Sequence, residues 1–121
     1  MTAPSAPEVL AEVFGHTAFR HGQQQAIDAF VAGRDALVVL PTGAGKSICY
    51  QVPAVLLARA GRGPTLVVSP LVALMEDQVA ALLRRGVDAA VLHSGMSWAD
   101  QRAVLDRAHD LAMLYVSPAR V

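Results

Sequence analysis

Lys46 is the single lysine of the chain, the nine other basic residues all being arginine, and it lies in Pro41-Thr42-Gly43-Ala44-Gly45-Lys46-Ser47. An ammonium on a flexible stem is a compact point charge suited to the β- and γ-phosphates of a nucleotide. Gly43 and Gly45 let the backbone turn tightly and bring its N–H groups onto an anion, while a helix beginning near Gly45 adds the positive end of its dipole. The Ser47 hydroxyl would reach the Mg2+ that bridges the same phosphates. These residues therefore point to ATP and Mg2+ as cofactors, held by Thr42, Gly43, Ala44, Gly45, Lys46 and Ser47. Lys46 and Ser47 would carry the chemistry, with Ser47 as the metal ligand. The general phosphate-loop pattern asks for glycine five residues before Gly45, and this chain has Leu40 there. A glycine-rich turn with no ligand is the plainer reading, and the expected order of strand, loop and helix argues against it. A small-molecule or nucleoside kinase is disfavoured by Leu40 and by the lack of an arginine-rich lid.

Such a loop needs a strand before it and a helix after it. The apolar run Ala36-Leu37-Val38-Val39-Leu40 predicts the strand, so residues 36–53 read as strand, loop and helix. Upstream, Pro7 to Phe14 predicts a short helix stopped by Gly15, and Gln23 to Ala32 a second stopped by Gly33. Further strands are expected at 65–69, 89–92 and 111–116. Leu71, Leu74, Met75, Gln78, Val79 and Leu82 keep a helical stripe that ends at Gly86, with Ser69 as its cap and Pro70 in its first turn. Another helix runs from Trp98 to about Ala108, opened by Ser97 with Asp100 three residues on. Apolar runs alternating with helical stripes indicate βα units on a parallel sheet, and no internal repeat or low-complexity segment interrupts them.

Composition narrows the class further. At 121 residues the chain makes one domain at most, and 54% apolar residues with a mean hydropathy of +0.40 is rich for a small soluble chain. Pro41, Pro53, Arg59 and Pro70 break the apolar runs before any reaches the length of a membrane span, and no signal peptide is present. The reading is a cytoplasmic chain with no membrane partner. Cys49, the one cysteine, cannot form an internal bridge and reads as a small buried hydrophobe. Zero net charge and a pI near 6.9 supply no global field for nucleic acid, so any DNA contact must be local.

Four segments carry a resemblance beyond the phosphate loop. Phe14-Gly15-His16-Thr17-Ala18-Phe19-Arg20-His21-Gly22-Gln23, the stretch from Leu40 to Ala54, Val68-Ser69-Pro70-Leu71 with its continuation to Val79, and Leu114-Tyr115-Val116-Ser117-Pro118 are similar to successive motifs of the RecQ family of DNA helicases. They occur in the family's order over nearly the whole chain, and the Pro-Thr-Gly-x-Gly-Lys-Ser form of the loop is the one typical of helicases and translocases. The resemblance implies that residues 1–33 form an adenine-recognition segment, with Gln23 on the base edge and His16 and Arg20 on the base faces. An amide can pair donor and acceptor with adenine, and a guanidinium or imidazole plane can stack on it. It also implies that Ser69, Pro70 and Leu71, together with Ser94, Gly95 and Ser117, face the DNA backbone, single-stranded or partly duplex. The alternative for Ser69 and Ser94 is that they only end strands or cap helices.

Two positions depart from the family's pattern: His21 stands where many members have proline, and Ala119 precedes Arg120 where glutamate is common. The Ala119 change puts in doubt any contact that glutamate would make. The chain has no Asp-Glu dipeptide for Mg2+ and water, and it lacks the arginine finger, the second lobe and the zinc-binding region that the family uses. The expectation is an α/β three-layer P-loop NTPase fold, RecA-like, with a mainly parallel sheet incomplete at the C-terminus. This would be the N-terminal part of the first ATP-binding domain of a RecQ-type helicase that moves 3′ to 5′, and it would be inactive on its own. The alternative is a non-catalytic nucleotide-binding module completed by a partner chain.

Overall fold

The computed structural model describes residues 5–20, 22–39 and 46–118. The chain divides into two compact units, Met1–Ala60 and Gly61–Val121. In the first, helix α1 (Ala6–Phe14) starts where the Ser5 hydroxyl accepts the Glu8 N–H at 3.4 Å and Pro7 supplies a preset φ. It stops at Gly15, whose φ of 72° lets its N–H return to the Ala11 carbonyl at 3.2 Å. Helix α2 (Gln23–Val31) and helix α3 (Ile48–Arg59) follow, and both α1 and α2 lie against α3. Val9, Leu10 and Phe14 of α1, Ala26 and Ile27 of α2, and Ile48, Val52, Ala54 and Val55 of α3 form the buried apolar faces.

One expected element is missing. Residues 36–39 form no strand, and Leu37 and Val39 are 93% and 83% exposed, while Leu40 and the loop residues 41–45 lie outside the described residues. Backbone pairing defines a strand, and among the described residues this run has no ladder partner. Its apolar character on both faces is that of a strand built to be covered on both. Propensity alone cannot supply those neighbours.

The second unit follows the expected βα pattern. Strand β1 (Thr65–Val68), helix α4 (Val72–Arg84), strand β2 (Ala89–Leu92), helix α5 (Trp98–Asp106) and strand β3 (Met113–Val116) make a three-stranded parallel sheet in the order β1-β3-β2. Parallel neighbours require crossovers, and α4 and α5 provide them, each in contact with β2. The central β3 is buried throughout, and Leu114 and Val116 join Ala90, Leu92, Val104 and Leu111 in one core with Met96 against it. Ser97 caps α5 as expected, its hydroxyl accepting the Asp100 N–H at 3.1 Å, but the helix ends at Asp106 and a separate 3-10 turn covers Ala108–Asp110. Ser69 and Pro70 differ from expectation. α4 begins at Val72, so Pro70 precedes the helix, and the Ser69 hydroxyl accepts the Leu71 N–H at 3.1 Å, bracing the strand-to-helix turn instead of capping the helix itself.

Register fixes what this sheet presents. Val68, Leu92 and Val116 are level with one another, so the residues that follow, Ser69, His93 and Ser117, leave the sheet along one C-terminal edge. That is the edge where open α/β sheets bind their ligands.

Candidate nucleotide and nucleic-acid sites

In the first unit, Gln23 opens α2 and is buried, only 3% exposed, which removes the possibility that it is an ordinary solvated helix residue. Its Oε1 accepts the Arg20 N–H at 2.7 Å while its own N–H donates to the Arg20 carbonyl at 3.1 Å. Two residues are thereby locked as one unit ahead of the helix. Gly22, at φ 86°, makes that turn possible. His16 is exposed just beyond the left-handed Gly15 and is anchored through its N–H to the Leu10 carbonyl at 3.2 Å, which is helix-terminating geometry. His21, between the two anchors, lies outside the described residues.

At the other end of this unit, Lys46 and Ser47 lead into α3. Lys46 is exposed, and with Ala26 and Phe30 of α2, Arg34, and Cys49 and Tyr50 of α3 it lines a cavity of about 320 Å3. That lies at the lower end of the roughly 300–1,000 Å3 usual for small-molecule sites. Ser47 has helical dihedrals and its carbonyl accepts the N–H groups of Tyr50 and Gln51 at 3.2 and 2.9 Å, but its hydroxyl makes no capping bond. The oxygen expected to hold Mg2+ is therefore not committed to the helix. Thr42, Gly43, Ala44 and Gly45 lie outside the described residues. Burial pushes the Cys49 thiol above its ordinary range, so it behaves as the small buried hydrophobe the sequence suggests. Nothing in the sequence marks Phe30, Arg34 and Tyr50 as site residues; Phe30 stands one turn after Ala26 on the inner stripe of α2, a spacing that signals core as readily as a pocket wall.

In the second unit, the sheet edge gathers residues that are far apart in sequence. Ser69 sits half-buried beyond β1, Pro70 and Leu71 are exposed beside it, and the Ser94–Gly95 turn is exposed beyond β2. Ser117, beyond the central β3, is buried, and its N–H continues the ladder to the Leu92 carbonyl at 3.2 Å as that of Ser69 does to Val116 at 3.1 Å. Its hydroxyl has no partner among the described residues. The turn N–H groups of Leu71, Gly95 and Met96 are used within the turns, so what this edge offers a phosphodiester backbone is the Ser69 and Ser94 hydroxyls, with the Ser117 hydroxyl buried behind them. Among the described residues no helix is long and apolar enough to cross a membrane, and no group of three or more His, Cys, Asp and Glu side chains could hold a metal ion.

Comparison with known proteins adds a lineage to this geometry. The family model of the DEAD/DEAH box helicases matches residues 20–121. The ATP-dependent DNA helicase RecQ of Synechocystis is 52% identical over 116 residues, covering 94% of this chain and 23% of that protein. The proteins of the same name from Pasteurella multocida and Haemophilus influenzae are 45% and 46% identical, over 97% and 98% of this chain and 18% and 19% of their own lengths. The chain thus spans about a fifth of the length of these curated relatives.

Proposed function

The chain belongs to the DEAD/DEAH box helicase family, whose domain has the RecA-like P-loop fold, and on that premise we propose that it supplies the ATP- and DNA-binding part of a RecQ-type helicase moving 3′ to 5′. What carries the reading is the approach to α3. Lys46 lines a cavity with Ala26 and Phe30 of α2, Gln23, Arg20 and His16 not being among its lining, and the Ser47 hydroxyl beside it is not taken by a cap. These residues fit a nucleotide with Mg2+, which when bound supplies phosphoryl-transfer chemistry. The Lys46 ammonium would neutralise phosphate charge and the Ser47 oxygen would ligate the metal. Gln23, whose Oε1 accepts the Arg20 N–H, would meet the edge of adenine with its amide, and Arg20 and His16 would meet the base faces. The Ser69, Ser94 and Ser117 edge would hold the backbone of a single strand.

The test is a nucleotide titration and a single-stranded-DNA-stimulated ATPase assay on the intact protein and its Lys46→Ala and Ser69→Ala variants. Loss of turnover in the first with DNA affinity retained, and weakened DNA affinity in the second with ATP affinity retained, is the expected pattern. Turnover that survives Lys46→Ala rejects the nucleotide assignment.

A further inference from the structure

The turn after β2 is held by more bonds than a surface turn needs. His93 Nδ1 accepts the Gly95 N–H at 3.0 Å, the Met96 N–H closes onto the His93 carbonyl at 3.2 Å, and the Met96 carbonyl accepts from Gln101 Nε2 of α5 at 3.0 Å. Across the ring, His93 Nε2 stands 3.5 Å from Glu76 Oε1 of α4. With Nδ1 accepting, the ring's hydrogen is assigned to Nε2, on the side where the carboxylate lies. The side chain is only 17% exposed, and a Cβ on residue 95 would meet its Cε1 and Nδ1 at 3.0 Å, so any side chain there would have to push the ring aside by a few tenths of an ångström.

We propose that His93 is a positioning residue for binding of a nucleic-acid backbone at the C-terminal edge of the sheet. With Glu76 3.5 Å away on its other side, its imidazole fixes the 93–96 turn with Ser94 exposed in it. It also ties that turn to α4, the helix that begins beside the Ser69 turn, so that one ring sets two phosphate-facing turns relative to each other. Gly95 serves by admitting the ring, its N–H being committed to Nδ1 and not to a phosphate. The proposal rests on the reading of this edge as DNA-facing.

The experiment separates an acceptor from a space-filler. An asparagine Oδ1 can accept an N–H two residues on, as in an Asx turn, without the ring's bulk, whereas phenylalanine keeps the shape and offers no acceptor. Anisotropy titration of a labelled single-stranded oligonucleotide would be run on the intact protein and its His93→Phe, His93→Leu, His93→Asn, Ser69→Ala and Ser94→Ala variants, with melting temperature and ATP affinity measured alongside. His93→Phe and His93→Leu should each weaken DNA binding about fivefold, His93→Asn should stay within about twofold of the parent, and ATP affinity should not move. The two acceptor-free variants keep a folding defect peculiar to one side chain from deciding the result. Parent-like DNA affinity in both, or an asparagine variant as weak as they are, overturns the positioning role. If that occurs while Ser69→Ala and Ser94→Ala still weaken binding, the DNA-facing reading stands without it. If none of the five changes affinity, both fall together.

Discussion

At the scale of single residues, the sharpest expectations concern Gln23 and Lys46. Gln23→Ala removes an amide that is buried and bonded to the Arg20 backbone, so in the intact protein ATP should weaken relative to GTP by about 1–3 kcal/mol, the usual cost of an unpaired buried polar partner. Comparative nucleotide titration measures it, and unchanged discrimination would mean that Gln23 serves only the local fold. Lys46→Arg tests shape against charge. Arginine keeps the charge but carries a longer planar fork, so turnover should stay well below that of the parent and near that of Lys46→Ala. Near-normal turnover would show that the site asks only for a cation.

Elements are decided by caps and glycines, and two substitutions read them separately. Ser97→Ala deletes the oxygen that accepts the Asp100 N–H, and Gly15→Ala forces a side chain into φ 72° where nothing lies within 4 Å to clash. Each should cost about 1 kcal/mol, the first by loss of a cap and the second by backbone strain alone. Urea denaturation of the intact protein should show lower midpoints with unchanged slopes. A neutral Gly15→Ala would mean that the left-handed turn ending α1 is not needed for stability.

For the whole molecule the telling feature is apolar surface. Leu37 and Val39 are exposed on a run that has no ladder partner among the described residues, and Leu66 on the outer strand β1 is 63% exposed. Apolar groups on sheet-forming backbone without neighbours are the pattern that drives association. The isolated 121-residue chain is expected to self-associate at micromolar concentration, which light scattering would detect. Leu37→Ser combined with Val39→Ser should reduce that association. In the intact protein the same pair should lower the melting temperature if further strands cover the run, and leave it unchanged if solvent does.

The amino-acid sequence by itself shows what depends on neighbours a few positions away: the helical stripes, the Ser97 cap, the glycine stops and the short apolar runs of the second unit. Each of these is a matter of local periodicity or a local hydrogen bond, so it is legible along the chain. The rest depends on contacts between residues far apart in sequence. The burial of Gln23 and its grip on Arg20 come from how the start of α2 is seated, which three adjacent glutamines do not reveal. The convergence of Ser69, His93 and Ser117 on one edge comes from the register of three parallel strands, and the link from Glu76 to His93 from a helix crossing over that sheet. The run 36–39 shows the same division from the other side. Its composition is that of a strand, but pairing is a contact between distant residues, and composition cannot supply the partner.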